Sequence, residues 1–106
     1  MRILFDQGTP ALLRHSLVGY RVSTAYEMGW AQLENGELLE LAEATFDIFI
    51  TTDQSLSYQR NLIGRKIAIL VLPTTSWPRI QRHLSEVVAA VSTLGLGDFR
   101  ELVLPP

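Results

Sequence analysis

Short apolar segments that alternate with helix-like segments constrain the fold of this chain more than any other feature of its sequence. Four of these segments predict strands, at residues 2–5, 20–25, 47–52 and 67–72. Three of the four are apolar almost throughout, which is typical of strands buried on both faces of a parallel sheet. The alternation therefore predicts an α/β fold, a three-layer sandwich around a central, mainly parallel sheet.

The segments between the strands carry helix signals. Thr9 is a predicted N-cap, with Pro10 at the first helical position and Gly19 ending this first helix. Asn35 is a predicted N-cap for a helix over residues 35–45. The stripe of that second helix that we expect to face inward consists of Leu38, Leu41, Ala42 and Thr45.

The last third of the chain predicts one long helix and an edge strand. Residues 77–91 form an amphipathic pattern, and residues 99–104 favour a final strand. Six apolar residues near this end exceed what a small core needs: Leu94, Leu96, Phe99, Leu102, Val103 and Leu104. We therefore expect a surface for a partner protein or a homodimer on the long helix or the C-terminal segment.

Composition limits the functional classes. The 106 residues fit one domain, 1–106, and the 47% hydrophobic content is that of a globular chain. A net charge of −2 gives no overall attraction to nucleic acid, and the lack of cysteine excludes disulfides and thiolate metal sites. No apolar run approaches the roughly 20 residues of a membrane helix, so we expect a cytoplasmic protein without membrane contact.

Two aspartates follow predicted strands and suggest a site. Asp6 ends the first strand and Asp53 the third, and ligands in such folds bind outside the carboxyl ends of the strands. If these strands are neighbours, the carboxylates converge, and a hard cation such as Mg²⁺ or Mn²⁺ would relieve their repulsion. The alternative is that each aspartate only caps a helix or satisfies a turn.

Several polar residues are secondary candidates for this site. Asn35 could face a phosphate from a helix N-terminus, and its alternative role is that of a simple N-cap. Glu37 could reach a metal through water, or its charge could only complement the helix dipole. Four residues soon after Asp53 suit contacts to phosphate or base, or are ordinary loop residues: Tyr58, Gln59, Arg60 and Asn61. Trp30 and Trp77 are expected to pack in or beside the core.

The motifs ILFDQGTP, NGELLELAE and DIFITTDQSLSYQRNL, followed by RKIAILVL, resemble a small PIN-like family of bacterial proteins. The resemblance runs from Met1 to about Leu72. It implies a PIN-like fold, and Asp6 and Asp53 match carboxylates of the family's metal site. Gln7, Asn35 and Ser55 stand where the family commonly has acidic residues, and this loss of charge should weaken cation binding.

Three functions remain open from the sequence. The resemblance implies a Mg²⁺- or Mn²⁺-dependent ribonuclease. Such an enzyme could be the toxin of a toxin–antitoxin pair, inhibited by a small antitoxin-like protein. The alternative is a catalytically weak or inactive module that binds RNA or protein. A regulatory domain with Asp53 as phosphoacceptor fits least, because no lysine follows the strand that ends at Leu72.

Overall fold

The computed structural model describes residues 1–58 and 65–105, with only the backbone of residues 57 and 58. Its five strands, each three or four residues long, lie in one sheet and are listed in chain order: β1 (Arg2–Phe5), β2 (Arg21–Thr24), β3 (Ile48–Thr51), β4 (Ala68–Val71) and β5 (Phe99–Glu101). All pairings are parallel, in the order β2-β1-β3-β4-β5. The predicted α/β sandwich is thus confirmed.

Helices cover both faces of the sheet. The described residues contain three α-helices, α1 (Asn35–Ala42), α2 (Trp77–Gln81) and α3 (Leu84–Thr93), and two short 3₁₀ helices, Ala11–Ser16 and Gln54–Tyr58. Alternate residues of β1 point to opposite layers: Ile3 and Phe5 pack with α2 and α3, and Leu4 packs with α1. Because both faces are buried, the central strands β1, β3 and β4 are apolar except for Arg2 and Thr51 at strand ends.

The boundaries of the first helix differ from the prediction. It is a 3₁₀ helix beginning at Ala11 with Pro10 as N-cap, and it ends at Ser16, before Gly19. Thr9 does not cap it, because the Thr9 hydroxyl lies 2.6 Å from a carboxylate oxygen of Asp6. The Thr9 hydroxyl thus donates to a buried carboxylate beside the strand end, and it does not accept a hydrogen bond from the first turn of the helix.

Helix α1 also begins differently from the prediction. Glu34, not Asn35, is the N-cap, and its backbone N–H donates to the Glu37 carboxylate at 3.3 Å. Leu39 is fully buried, whereas Leu41 is 47% exposed, so the buried stripe is rotated from the predicted one. Thr45 is exposed and lies beyond the helix end.

The predicted long helix over residues 77–91 is two helices. Helix α2 stops at Gln81 and α3 starts at Leu84, with His83 in a non-helical conformation between them. The buried side chains Ile80, Val87 and Val91 continue one apolar face across this break. The hydrophobic periodicity of the sequence therefore does not reveal the break.

The C-terminal segment is only partly covered. Leu94 and Leu104 are buried, whereas Leu96 is 78% and Val103 is 86% exposed. Helices long and apolar enough to cross a membrane are absent from the described part of the chain.

Candidate functional site

The site lies where the order of the strands reverses. From β1 the chain moves to β2 on one side and then returns to β3 on the other, so the crevice for a ligand lies between β1 and β3. Asp6 follows β1 directly, and Asp53 follows β3 by two residues. The prediction that the strands leading to Asp6 and Asp53 are adjacent and parallel is confirmed.

Asp6 is a buried carboxylate, 6% exposed, that accepts four hydrogen bonds. Its Oδ1 accepts from the backbone N–H of Thr9 at 3.1 Å and from the Thr9 hydroxyl at 2.6 Å. Its Oδ2 accepts from the Thr51 hydroxyl at 2.5 Å and from the Asn35 amide at 3.5 Å. Donors from three separate parts of the chain therefore compensate the burial of this charge.

Asp53 lies closer to solvent and is held mainly by its own turn. Its Oδ1 accepts from the Ser55 hydroxyl at 2.6 Å and from the Ser55 backbone N–H at 3.0 Å. The Ser55 hydroxyl lowers the pKa of Asp53, partial burial opposes this, and the Ser55 backbone and Asn35 amide reinforce the lowering. Asp53 is therefore a carboxylate at neutral pH.

Asn35 joins the two carboxylates. Its Nδ2 donates to Asp53 Oδ2 at 3.0 Å and lies 3.5 Å from Asp6 Oδ2. As the first residue of α1, Asn35 is freed from capping by Glu34, so its side chain turns toward the ends of β1 and β3. One amide group thus provides the positive end of a dipole between two negative charges.

Thr51 is a residue of the candidate site that sequence reasoning missed. It is fully buried; its hydroxyl donates to Asp6 and accepts from the backbone N–H of Asp53 at 3.0 Å. The available signal was a polar residue directly after the apolar run Ile48–Ile50. Thr51 fixes the spacing of the two aspartates, because it contacts the side chain of one and the backbone of the other.

A cavity of about 690 Å³ lies beside the two aspartates, and Glu37 lines it. Glu37 makes none of the hydrogen bonds that join the two aspartates. Its carboxylate accepts from the N–H of Glu34, which is a helix-capping role. Within residues 1–58 and 65–105, no three His, Cys, Asp or Glu side chains form a group that could hold a metal ion. Of the four acidic residues that line this cavity, Asp6, Glu34, Glu37 and Asp53, the two aspartates are the ones joined through Asn35.

The predicted substrate contacts after Asp53 lie largely outside the described residues. This holds for Gln59, Arg60 and Asn61, and Tyr58 is described by its backbone at the end of a 3₁₀ helix. Their role in binding stays a prediction.

The turns that follow β1 and β3 pack closely against each other. A side chain at Gly8 would collide with the hydroxyl of Thr52, so glycine permits this approach. The turn Gln7–Thr9 can therefore lie against β3 while Asp6 stays in reach of Thr51.

Comparisons of the chain with protein-family models, with curated proteins and with solved structures found no match.

Proposed function

We propose that this protein is a Mg²⁺- or Mn²⁺-dependent ribonuclease of the PIN-like type, acting in the cytoplasm. The observation that carries the proposal is the pair Asp6 and Asp53 at the reversal of strand order, joined through the amide of Asn35. Paired carboxylates in a crevice at this position are suited to hold a hard cation and, through it, a phosphodiester.

The donor set fits such a cation if the Asn35 amide turns over. Amide nitrogen and oxygen have nearly the same shape, so a half-turn places Oδ1 where Nδ2 now faces the carboxylates. Asp6, Asp53 and Asn35 would then present three oxygens, which is the ligand type that Mg²⁺ and Mn²⁺ prefer. A cation held there supplies activation of water and stabilisation of the leaving oxygen in phosphodiester cleavage.

The protein's own residues would hold this site in shape. Thr9 and Thr51 keep the Asp6 carboxylate oriented, and Ser55 does the same for Asp53. These hydroxyls bind the carboxylate oxygens without adding charge. Binding should consequently be weak, because two negative charges attract a divalent cation less than three or four do.

A catalytically weak or inactive RNA- or protein-binding module is the second candidate. The observation that favours it is the completeness of the internal hydrogen bonding: all four oxygens of Asp6 and Asp53 accept donors from the chain. A cation must displace at least the Asn35 bonds, which lowers its net binding energy.

A protein partner belongs to the same proposal. A small antitoxin-like protein, or a second copy of the chain, could cover the exposed apolar side chains Leu96 and Val103 near the C-terminus. Leu96 precedes β5 and Val103 follows it, and neither lines the cavity beside the two aspartates.

Cleavage of RNA by the purified protein tests the function. We expect single-stranded RNA to be cut in Mn²⁺ or Mg²⁺ and to stay intact in EDTA. Asp53→Asn should lower the rate by about ten-fold or more, since it removes one of two charges available to the cation. The assay follows fragment formation on a denaturing gel.

Leu12→Ala is the control, because Leu12 is 53% exposed and takes no part in the described site. It should leave the rate unchanged. Cleavage that resists both EDTA and Asp53→Asn would reject the mechanism, whereas RNA binding without any cleavage would favour the binding module.

A further inference from the structure

A second cavity lies on the other side of the turn that follows β1. Its volume is also about 690 Å³, within the roughly 300–1,000 Å³ of small-molecule sites. Asp6, Gln7 and Gly8 line both cavities, so this turn forms the ridge between them. A polymeric ligand bound at the two carboxylates could therefore place its neighbouring unit in the second cavity.

Two aromatic side chains line this second cavity. Tyr26, in the turn after β2, is 79% exposed, so it contributes little to the core. Trp77, at the start of α2, is partly buried: it packs against the core and also lines the cavity, which agrees with its predicted position beside the core. Aromatic surfaces in a concave site favour a flat, π-bonded ligand group.

The charges of this cavity favour a neutral group over a phosphate. Both terminal nitrogens of Arg14 bond to the Glu27 carboxylate, and the Arg14 bond lowers the pKa of Glu27 to about 2. The pair is thus neutral as a whole at physiological pH. Asp6 on the shared ridge adds a negative charge, so an anion would be repelled here.

The cavity also offers hydrogen-bonding groups for the edge of a base. In the described part of the chain, the Gln7 amide and the Tyr26 and Thr75 hydroxyls make no side-chain hydrogen bond. An amide and two hydroxyls can each donate and accept, which suits the mixed edge of a nucleobase.

We infer that this cavity is a subsite for one unpaired nucleobase of single-stranded RNA, next to the phosphodiester held at Asp6 and Asp53. The inference rests on the proposed function and names the form of its substrate. A base in a duplex is stacked and paired. For that reason, proteins that recognise RNA by sequence mostly bind unstacked bases. The subsite therefore selects single strands over duplexes.

Binding of two hexamers to the full chain tests the subsite. One is hexauridylate, and the other is a ribose-phosphate hexamer of the same charge that lacks all bases. Fluorescence anisotropy in Mg²⁺ at low temperature gives the Kd, and a denaturing gel checks that the RNA is intact. Hexauridylate should bind the wild type more tightly than the abasic hexamer does.

Tyr26→Ala should raise the Kd for hexauridylate by about 5- to 150-fold, since stacking on one aromatic ring contributes about 1–3 kcal/mol and each 1.4 kcal/mol is ten-fold. The same change should leave the Kd for the abasic hexamer unaltered. Tyr26→Phe, which keeps the ring, should bind hexauridylate nearly as the wild type does. Val18→Ala is the matched surface control, because its side chain is 86% exposed and lines neither cavity.

Each remaining outcome decides against the subsite. Equal affinity of the wild type for both hexamers, or an unchanged Kd in Tyr26→Ala, would overturn the subsite and leave the proposed nuclease standing. Failure of the wild type to bind either hexamer would overturn both the subsite and the proposed nuclease. The cavity would then be a candidate site for a side chain of a protein partner.

Discussion

Asn35→Asp should raise the affinity for Mn²⁺ by at least about ten-fold. A unit charge about 4 Å from another contributes roughly 4 kcal/mol at an effective dielectric constant of about 20, more for a divalent ion, and repulsion from Asp6 and Asp53 offsets part of this. The new carboxylate would replace an amide that lies within 3.0 Å of Asp53 Oδ2 and 3.5 Å of Asp6 Oδ2. Isothermal titration calorimetry with Mn²⁺ measures the change.

The same variant should be less stable than the wild type in EDTA, because it loses the amide donor and gains a third negative charge. Mn²⁺ should reverse this order by binding the folded state. Asn35→Ala is the matched control, since it removes the donor without adding charge and should show no gain in affinity. Equal Mn²⁺ affinity of Asn35→Asp and wild type would mean that any cation binds elsewhere.

Asp6→Ala should lower the free energy of unfolding by about 3 kcal/mol, because unsatisfied buried donors cost roughly 1–3 kcal/mol each. Thr51 is fully buried and Thr9 is 5% exposed, so water cannot readily replace the lost acceptor. For a domain of this size, such a change corresponds to a decrease in Tm of about 10–20 °C. Urea unfolding followed by circular dichroism gives the value.

Asp53→Ala provides the comparison for this prediction. Its main donor, Ser55, is exposed, so water can take over the lost bonds and the cost should be about 1 kcal/mol or less. A double variant of Asp6→Ala with Thr51→Val should cost less than the sum of the two single changes, because one removes the donor that the other leaves unpaired. Similar losses in Asp6→Ala and Asp53→Ala would show that the hydrogen bonds of Asp6 do not contribute as the structure indicates.

The sequence predicted the sheet well because burial of both faces leaves a direct mark. The cores of β3 and β4, Ile48–Ile50 and Ala68–Val71, are apolar without alternation, and their predicted ranges exceed the observed strands by one residue at each end. The adjacency of β1 and β3 followed from the chain order and from the general rules for α/β sheets. These features depend on patterns that extend over several residues.

The helix ends were predicted less well because competing partners decide them. Thr9 and Asn35 are both good N-caps by local preference, yet each gives its side chain to Asp6 or Asp53 instead. Asp6 lies only three residues from Thr9, but the two carboxylates that Asn35 contacts lie 29 and 18 residues away. A local pattern cannot show a bond that only the tertiary fold creates.

The same reasoning explains which parts of the site were found. Asp6 and Asp53 were predicted because both follow apolar strands, at the edge of the sheet where ligands bind in such folds. Thr51 was missed because threonine is ordinary in strands. The second cavity was missed because its walls come from the turn after β2, from α2 and from the first 3₁₀ helix, which only the fold brings together.

The position of Mn²⁺ in crystals of the wild-type protein soaked at millimolar concentration tests the central claim most directly. The proposed function predicts an anomalous peak between Asp6 and Asp53, with each Oδ2 about 2.0–2.2 Å from the ion and the Asn35 amide turned so that its oxygen faces it. A structure with Mn²⁺ bound elsewhere, or with the Asn35 nitrogen still joining two metal-free carboxylates, would contradict it.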